Sequence, residues 1–454
     1  MSKVAVIGGG MAGLAAARML KDAGHQVCVF EALQGKGMDS HSLEIDGGII
    51  DSPLRVMNPI IWKNTLALAR YVGIKMFRVN TYMSCNWLEQ PEKEKQDKDQ
   101  QAHQYIRTST WLTTARAKVR KLPLIADWQL GKEQLPALMQ GWLQFQYASQ
   151  KFMQLPQQIR EKLTLAQFIN RYQINATFWH GCMMPVLYTL CTCDEKVLGD
   201  WLAEPLIDFL HKMQKGSPLL RMYGGTQGFV DALSQDIQFY SGAKVTEVRC
   251  QSNGVTVKNN AGIELDVDHV IVATPTHIID FLDEKKFAQE LKILRQYQFT
   301  QGELVIHQDE NCMPKQKKHW SAISYCMDKS FGQQMFSVWL NAVEPSLVGK
   351  QAIFQTWNPN IQIDPKKVLD RVTLTRAIVD QNTLENTKKL MQLQNQTNRQ
   401  VYFCGSWLCD GLPILESAVT SAMFVAQQLG AGIPFEGLTP EIIPAMELEH
   451  VIAS

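Results

Sequence analysis

With 454 residues the chain has room for two or three domains, or for one large fold carrying an insertion, at roughly 150 residues per domain. Its 45% hydrophobic and 20% charged residues, with 29 Gly and 18 Pro, exclude disordered, collagen-like and coiled-coil classes. Lys plus Arg (45) nearly cancels Asp plus Glu (44), and a net charge of +1 sets up no global field for nucleic acid.

The chain opens with Met1-Ser2-Lys3 and runs directly into Val4–Ile7, without the long apolar core and small-residue cleavage site of a secretory signal. No stretch reaches the roughly 18 apolar residues of a membrane span, so at most a peripheral membrane contact is expected. The ten cysteines are scattered, as in a reduced, cytoplasmic protein. Cys191-Thr192-Cys193 has no second ligand pair, so no metal site is expected. The basic run Lys315–His319 has no interleaved aromatic residue and reads as a solvated loop. No motif sets the oligomeric state.

Val4–Ile7 reads as a buried strand, followed by Gly8-Gly9-Gly10-Met11-Ala12-Gly13 and a helix that stops near Gly24. Gly8 permits a tight turn, Gly10 lets a pyrophosphate approach the backbone, and Gly13 lets helix and strand lie close. Met11 and Ala12 open the helix, where unpaired N–H groups favour phosphate. The second strand, Gln26–Phe30, ends at Glu31, about 20 residues past the glycines, where a ribose hydroxyl is expected. A carboxylate there repels a 2'-phosphate, which leaves FAD or NAD as the dinucleotide and sets NADP aside.

Val4 to Glu31 resembles the start of the flavin-containing amine oxidase and phytoene desaturase superfamily, and the resemblance implies FAD. In that superfamily a basic residue and a Gly-Gly pair follow the acid near the flavin diphosphate. Here Glu31-Ala32 leads to Gly35-Lys36-Gly37-Met38, so Gly37 matches the first glycine, Met38 replaces the second, and Lys36 stands in for the missing charge. Residues 45–56 and 62–74 are similar to a bacterial and fungal subgroup of predicted NAD/FAD-binding oxidoreductases, in which a glycine-rich strand precedes a helix near the flavin. Leu54 and Arg55 lie on that segment, and Arg55 is read either as the partner of an anion or as an ordinary surface ion pair.

Gln90–Gln104 is polar, mixed in charge and read as an exposed loop. From Trp111 to Leu210 the sequence is rich in Leu, Met, Gln and Trp with few strand signals, and reads as a helical cap inserted between pieces of the nucleotide domain. Trp179, His180, Met183 and Met184 are candidates for an apolar tunnel wall, against the simpler reading of core packing. His41 and His180 titrate near neutrality and are weak catalytic candidates, neither in a motif.

The nucleotide domain resumes at Tyr223–Val230, which resembles the superfamily's glycine turn before a helix. Ala243–Val248, Gly254–Lys258 and Glu264–Val267 alternate with period two and form a small meander, and His269–Pro275 is an apolar strand ending in a turn. By resemblance, the Val245 backbone meets the adenine and Ala273, Thr274 and Pro275 pass near the adenosine half. Residues 298–325, 339–341 and 357–359 again look like the subgroup, and Trp320, Tyr325, Trp339 and Trp357 suggest either an aromatic pocket or core.

The strand, turn and helix of residues 400–422 resemble the C-terminal FAD motif of carotenoid desaturases and amine oxidases. The resemblance implies cofactor contacts at Gly405, Ser406, Leu415, Glu416, Ser417 and Ala418. Trp407 is one candidate ring of the amine cage used by amine oxidases. Pro413 and Leu415 occupy the place of the second ring, and residues 299–304 lack a lysine. Covalent flavin attachment at Cys404 or Cys409 is disfavoured by spacing.

The expected fold is α/β, a Rossmann-type FAD-binding domain in a p-hydroxybenzoate hydroxylase-like two-domain flavoprotein, with an inserted mixed sheet and helical substrate cap. Residues 1–55, 215–285 and 395–432 would form the FAD domain, 56–214 and 286–394 the substrate domain, and 433–454 a tail. The expected function is FAD-dependent hydride abstraction from, or desaturation or isomerisation of, a small hydrophobic substrate such as a fatty acyl or isoprenoid chain. The alternatives are an amine or amino-acid oxidase and a non-catalytic flavin-binding scaffold.

Overall fold

The computed structural model describes residues 1–89, 106–113, 124–125, 132–214, 217–408 and 411–444. The stretch Gln90–Gln104, Cys409 and residues 445–454 of the expected tail lie outside them.

Val4, Ala5 and Val6 are fully buried, as an apolar strand covered on both faces by other elements must be. The strand Lys3–Ile7 lies at the centre of a five-stranded parallel sheet. The order across it is Gln238–Tyr240, Gln26–Phe30, Lys3–Ile7, His269–Val272, Val401–Phe403. In such a sheet ligands bind beyond the carboxyl ends of the strands. Three of those ends lie side by side and lead into the turns at Gly8, Ala273 and Gly405. The ladder continues into two of the turns, with Ala273 N donating to Ile7 O at 2.8 Å and Cys404 N to Val272 O at 3.1 Å. The first helix, Met11–Asp22, and the last, Leu415–Gln428, start from these turns and pack on each other.

The expected meander is present as an antiparallel sheet of Val245–Gln251, Gly254–Asn259 and Glu264–Val267. Residues 43–50 form a hairpin, Leu43–Ile45 with Gly48–Ile50, closed by Asp46 and Gly47 at positive φ. The helix expected after it spans Lys63–Tyr71 and buries Leu66 and Ala69.

A second, eight-stranded sheet carries the inserted region. Its order is Val368–Ala377, Phe299–His307, Phe354–Trp357, Met335–Trp339, Ile323–Met327, Met83–Glu89, Ile106–Thr113, Leu124–Ile125. It is mixed, because Ile323–Met327 and Met83–Glu89 run parallel while the other neighbours are antiparallel.

Here the expectation of a helical cap starting at Trp111 is corrected. Trp111 lies in a strand, fully buried, with its ring stacked on Trp87 of the neighbouring strand at 5.1 Å. β-Branched residues at alternate positions, Ile106, Thr108 and Thr110, favour that strand, and the cross-strand aromatic pair fixes it. Among the described residues the region's longer helices are Leu135–Met153, Leu165–Tyr172, Met184–Cys191 and Ala203–Gln214. A π-helical turn, Trp179–Met183, joins the short helix Ala176–Phe178 to Met184–Cys191, and the Gly181 position has no room for a Cβ, which would lie 2.5 Å from the Trp111 ring. Leu291, Leu294 and Leu390, from the 286–394 stretch, share a buried cluster with Ala5, Ile7, Val270 and Phe403 of the parallel sheet.

A buried ion cluster ties the strand Leu219–Met222, paired with Met76–Val79, to the segment after the hairpin and to the loop at Val343 and Glu344. Arg221, 1% exposed, donates Nη2 to Asp51 Oδ2 at 2.9 Å, Nη1 to the Val343 carbonyl at 2.9 Å, and pairs with Glu344 at 2.9 Å. Removing the cation leaves two enclosed carboxylates uncompensated. Arg221→Met should therefore destabilise the protein by about 3–5 kcal/mol, read as a lower denaturant midpoint. A midpoint equal to wild type would show that the cluster contributes nothing.

Candidate active site

The turns at the ends of the three parallel strands open on one cavity of about 1510 Å³. Small-molecule pockets are roughly 300–1,000 Å³, so the space exceeds that of a single drug-sized ligand. Gly10, Met11 and Ala12 face it from the first helix, Ala273–Pro275 and Gly405–Trp407 from the two neighbouring turns, and Leu415 and Ala418 from the last helix. Neither helix N-terminus is capped by a side chain. Two positive dipole ends with unpaired N–H groups therefore converge on the same space.

The glycines make this approach geometrically feasible. A Cβ on Gly13 would lie 2.0 Å from Gly8 O, and one on Gly9 2.2 Å from Lys36 O, so helix, turn and following loop are in backbone contact. A Cβ on Gly10 would meet nothing within 4 Å, because that side of the turn is the cavity itself.

Glu31 is 8% exposed and accepts from Gly9 N and Leu33 N, each at 2.8 Å. Each carboxylate oxygen keeps a second acceptor direction, which suits a ribose hydroxyl. Gly8, Gly13, Glu31, Ala32, Lys36, Gly37 and Val245 lie behind the turn and outside the walls of the large cavity, while Met38, Leu54 and Arg55 line it. Lys36 extends its ammonium to Asp231 at 2.6 Å, and so does not supply the charge expected beside the glycines. Glu416 accepts from Asn64 N at 2.8 Å and Thr65 N at 2.9 Å and so caps the helix Lys63–Tyr71. Ser417 Oγ donates to the Leu412 carbonyl at 2.5 Å, and Ser406 lines the cavity.

The histidine candidates do not reach the site. His180 is held with Nδ1 2.8 Å from Ala176 O and Nε2 3.0 Å from Glu195, its ring stacked 4.3 Å from Phe331. Neither His180 nor His41 lines the cavity. Of the four tunnel candidates only Met183 does; Trp179, His180 and Met184 are turned into protein. Of the four aromatic candidates only Trp357 does, since Trp320 and Trp339 pack edge-on at 5.3 Å and Tyr325 packs on Tyr188. Trp407 donates Nε1 to the Thr274 carbonyl at 3.0 Å and lies edge-on to Tyr297, locking one turn to the next. Burial pushes the Cys404 thiol up to about 12, which leaves almost no thiolate for a covalent bond near neutral pH.

Sequence reasoning missed Arg376, which lines the site beside the loop that leads into the last helix. It sits at the end of the strand Val368–Ala377, with Nε on Thr192 Oγ1 at 3.2 Å and Nη1 on the Pro413 carbonyl at 3.5 Å. Thr192 adopts a positive φ of 53°, unusual for a β-branched residue. Arg55 is its counterpart. The Arg55 Nε has no hydrogen-bond partner, and its loop is fixed by Gln355, whose Oε1 accepts from Leu54 N and whose Nε2 donates to the Asp51 carbonyl. Both side chains are partly buried and line the cavity. Burial lowers both pKa values; at Arg55, Asp51 acts in the opposite direction and the charge of Arg376 adds to the lowering. Guanidinium stays protonated even so. The only available signal was Leu374-x-Arg376, an arginine in step with an apolar strand face.

Among the described residues, Arg55 and Arg376 are the only charged side chains on the cavity wall. The wall is otherwise dominated by Leu, Met, Val, Phe and Trp.

Residues 11–359 match the family described as flavin containing amine oxidoreductase. The chain belongs to that family. FAD is its cofactor, it is an enzyme and not a bare flavin scaffold, and the two-domain flavoprotein fold expected from the sequence is borne out. Polyamine oxidase 4 of Oryza sativa subsp. japonica is 25% identical over 290 residues, 61% of this chain and 52% of the rice protein, so the chain matches about half of that relative's length. A putrescine oxidase solved with putrescine aligns with a TM-score of 0.62 at 12% identity, over 94% of this chain and 98% of its own. An oxidoreductase from Methanosarcina mazei gives 0.64 at 13% identity, over 94% and 100%. At these identities the solved structures speak to fold alone.

The uncapped helix termini and the open face of Gly10 suit a flavin diphosphate, and Glu31 suits the adenosine ribose. Gly10→Val should accordingly fold normally by circular dichroism while its FAD-to-protein ratio drops at least ten-fold. Gly13→Val should lose folded protein altogether. Equal FAD content in wild type and Gly10→Val would contradict this placement.

Proposed function

We propose that this flavoenzyme abstracts a hydride from, or desaturates or isomerises, a hydrophobic substrate such as a fatty acyl or isoprenoid chain. The observation that carries the reading is the apolar cavity and its lip. Leu135, Met139, Trp142 and Leu143 of the first cap helix line the cavity and are also 40–61% exposed, so the entrance is itself apolar. Isolated exposed apolar residues are ordinary, but a cluster continuous with a cavity marks a ligand path.

In this reading residues 1–55, 215–285 and 395–432 hold the cofactor and the mixed sheet with its helices holds the substrate. Gly10–Ala12, Met38, Leu54, Ala273–Pro275, Gly405, Ser406, Leu415 and Ala418 hold the flavin and diphosphate, with Glu31 on the ribose. Bound FAD supplies a two-electron acceptor for a hydride leaving a substrate carbon. The chain's part is to bind, orient and exclude water. Among the described residues no histidine, lysine or carboxylate lines the cavity, so no ordinary acid or base stands ready to move a proton. The apolar wall removes water and the helix termini add fixed positive potential.

A second reading, amine oxidation, draws on the names of the polyamine and putrescine oxidases the chain resembles. The wall electrostatics oppose it. A protonated amine 4 Å from a guanidinium is repelled by about 4 kcal/mol at an effective dielectric of about 20, and no wall carboxylate offsets that. Anaerobic mixing of the holoenzyme with fatty acyl and isoprenoid chains should bleach the flavin or shift a double bond, followed by absorbance and product mass spectrometry. Met139→Asp at the lip should slow this at least five-fold. Rapid bleaching by a simple amine, with no reaction of any lipid, would overturn the proposal.

A further inference from the structure

Two permanent cations in an otherwise apolar wall need a reason, since an unpaired buried charge is costly unless something compensates it. Arg55 has no ion-pair partner among the described residues, because the Asp51 carboxylate is already taken by Arg221 and by Thr226 N at 2.7 Å. Arg376 has its Nε and Nη1 held by a hydroxyl and a carbonyl, both neutral, and no carboxylate meets it.

Arg376 is built into the substrate half of the fold. Its contacts, Thr192 and Pro413, anchor it between the cap and the loop preceding the last helix, and the strand that bears it belongs to the mixed sheet. The N-terminus of the first helix is open to the diphosphate. Arg55 is tied to the same mixed sheet through Gln355. Arg376 thus stands on a strand of the mixed sheet and Arg55 at the end of the cofactor segment fastened to that sheet, near enough for the charge of Arg376 to be felt at Arg55.

We infer that Arg376 and Arg55 form an anion clamp and that the substrate is an amphipathic carboxylate, its acid group on the two guanidiniums and its apolar chain along the cavity toward the lip. Guanidinium pairs with carboxylate by parallel N–H donors, a geometry that ammonium does not offer. The free edges of the two side chains supply those donors. Thr192 is a positioning residue. Its strained backbone places the hydroxyl on Arg376 Nε and turns the rest of the guanidinium to the cavity.

This inference rests on the hydrophobic-substrate reading, and one titration separates the two. The FAD-loaded protein is titrated with dodecanoate and with dodecanol, both below their aggregation limits, and the perturbation of the flavin's visible spectrum gives each Kd. Dodecanoate is expected to bind at least ten-fold tighter than dodecanol. Arg376→Met and Arg55→Met should each abolish that preference while leaving dodecanol affinity and FAD content unchanged. Arg376→Lys, which keeps the charge and guards against a folding defect, should retain part of it, and Thr192→Val should reduce it with FAD content intact. Equal affinity of wild type for acid and alcohol overturns the clamp and leaves the apolar reading standing. Loss of FAD in step with loss of dodecanoate binding assigns the arginines to the cofactor and overturns it as well. Failure of both ligands to bind overturns the apolar reading itself.

Discussion

The structure depends on a seam of backbone contact where three parallel strands end. The Gly8 position admits no Cβ without approaching the Ala273 carbonyl at 2.9 Å, Gly13 is pressed on Gly8, and Gly405 lies against the Trp407 indole, which bonds to Thr274. Any side chain at this seam would part the turns. Because they touch, the first and last helices start beside one another and aim two uncapped N-termini at one space. The cofactor end of the cavity is therefore a consequence of sheet order and glycine, with few side chains needed.

The other end of the cavity is governed by charge in an apolar wall. Gln355 and Thr192 fix the segments that carry or hold the two arginines, and the Arg221 cluster fixes the loop leading to Arg55. In the proposed function, a cation wall of this kind sets the chain apart from a site shaped for protonated amines, although it shares the family's fold. Fold and chemistry are separable, and in that proposal the fold supplies the flavin while the wall selects the substrate.

Much of the cofactor half was legible in the sequence because its signals are local. A strand, a glycine turn, a helix and a terminal acid fall within residues 4–31, and each is a short-range requirement of backbone geometry. The substrate half was less legible. Trp111 was read as helical because its strand partner, Trp87, is distant in sequence and its pairing is a tertiary fact. His180 looked like a catalyst because a sequence carries no sign that Glu195 and Phe331 would hold its ring. Glu416 is a cofactor contact by resemblance and Lys36 by charge, yet their partners, a helix terminus and Asp231, come from other segments. Arg376 was overlooked for the same reason, since its environment is assembled from Thr192, Pro413 and Arg55, which are separated along the chain.

The central claim is that one cavity holds FAD at its glycine floor and an amphipathic acid between that floor and the lip. A crystal structure of the holoprotein with a saturated fatty acid tests it most directly. The account predicts the carboxylate within about 3 Å of both Arg376 and Arg55, and the alkyl chain running toward Met139 and Leu143. A fatty acid bound with its head at the lip and its tail on the arginines, or one bound only to the outer surface, would contradict it.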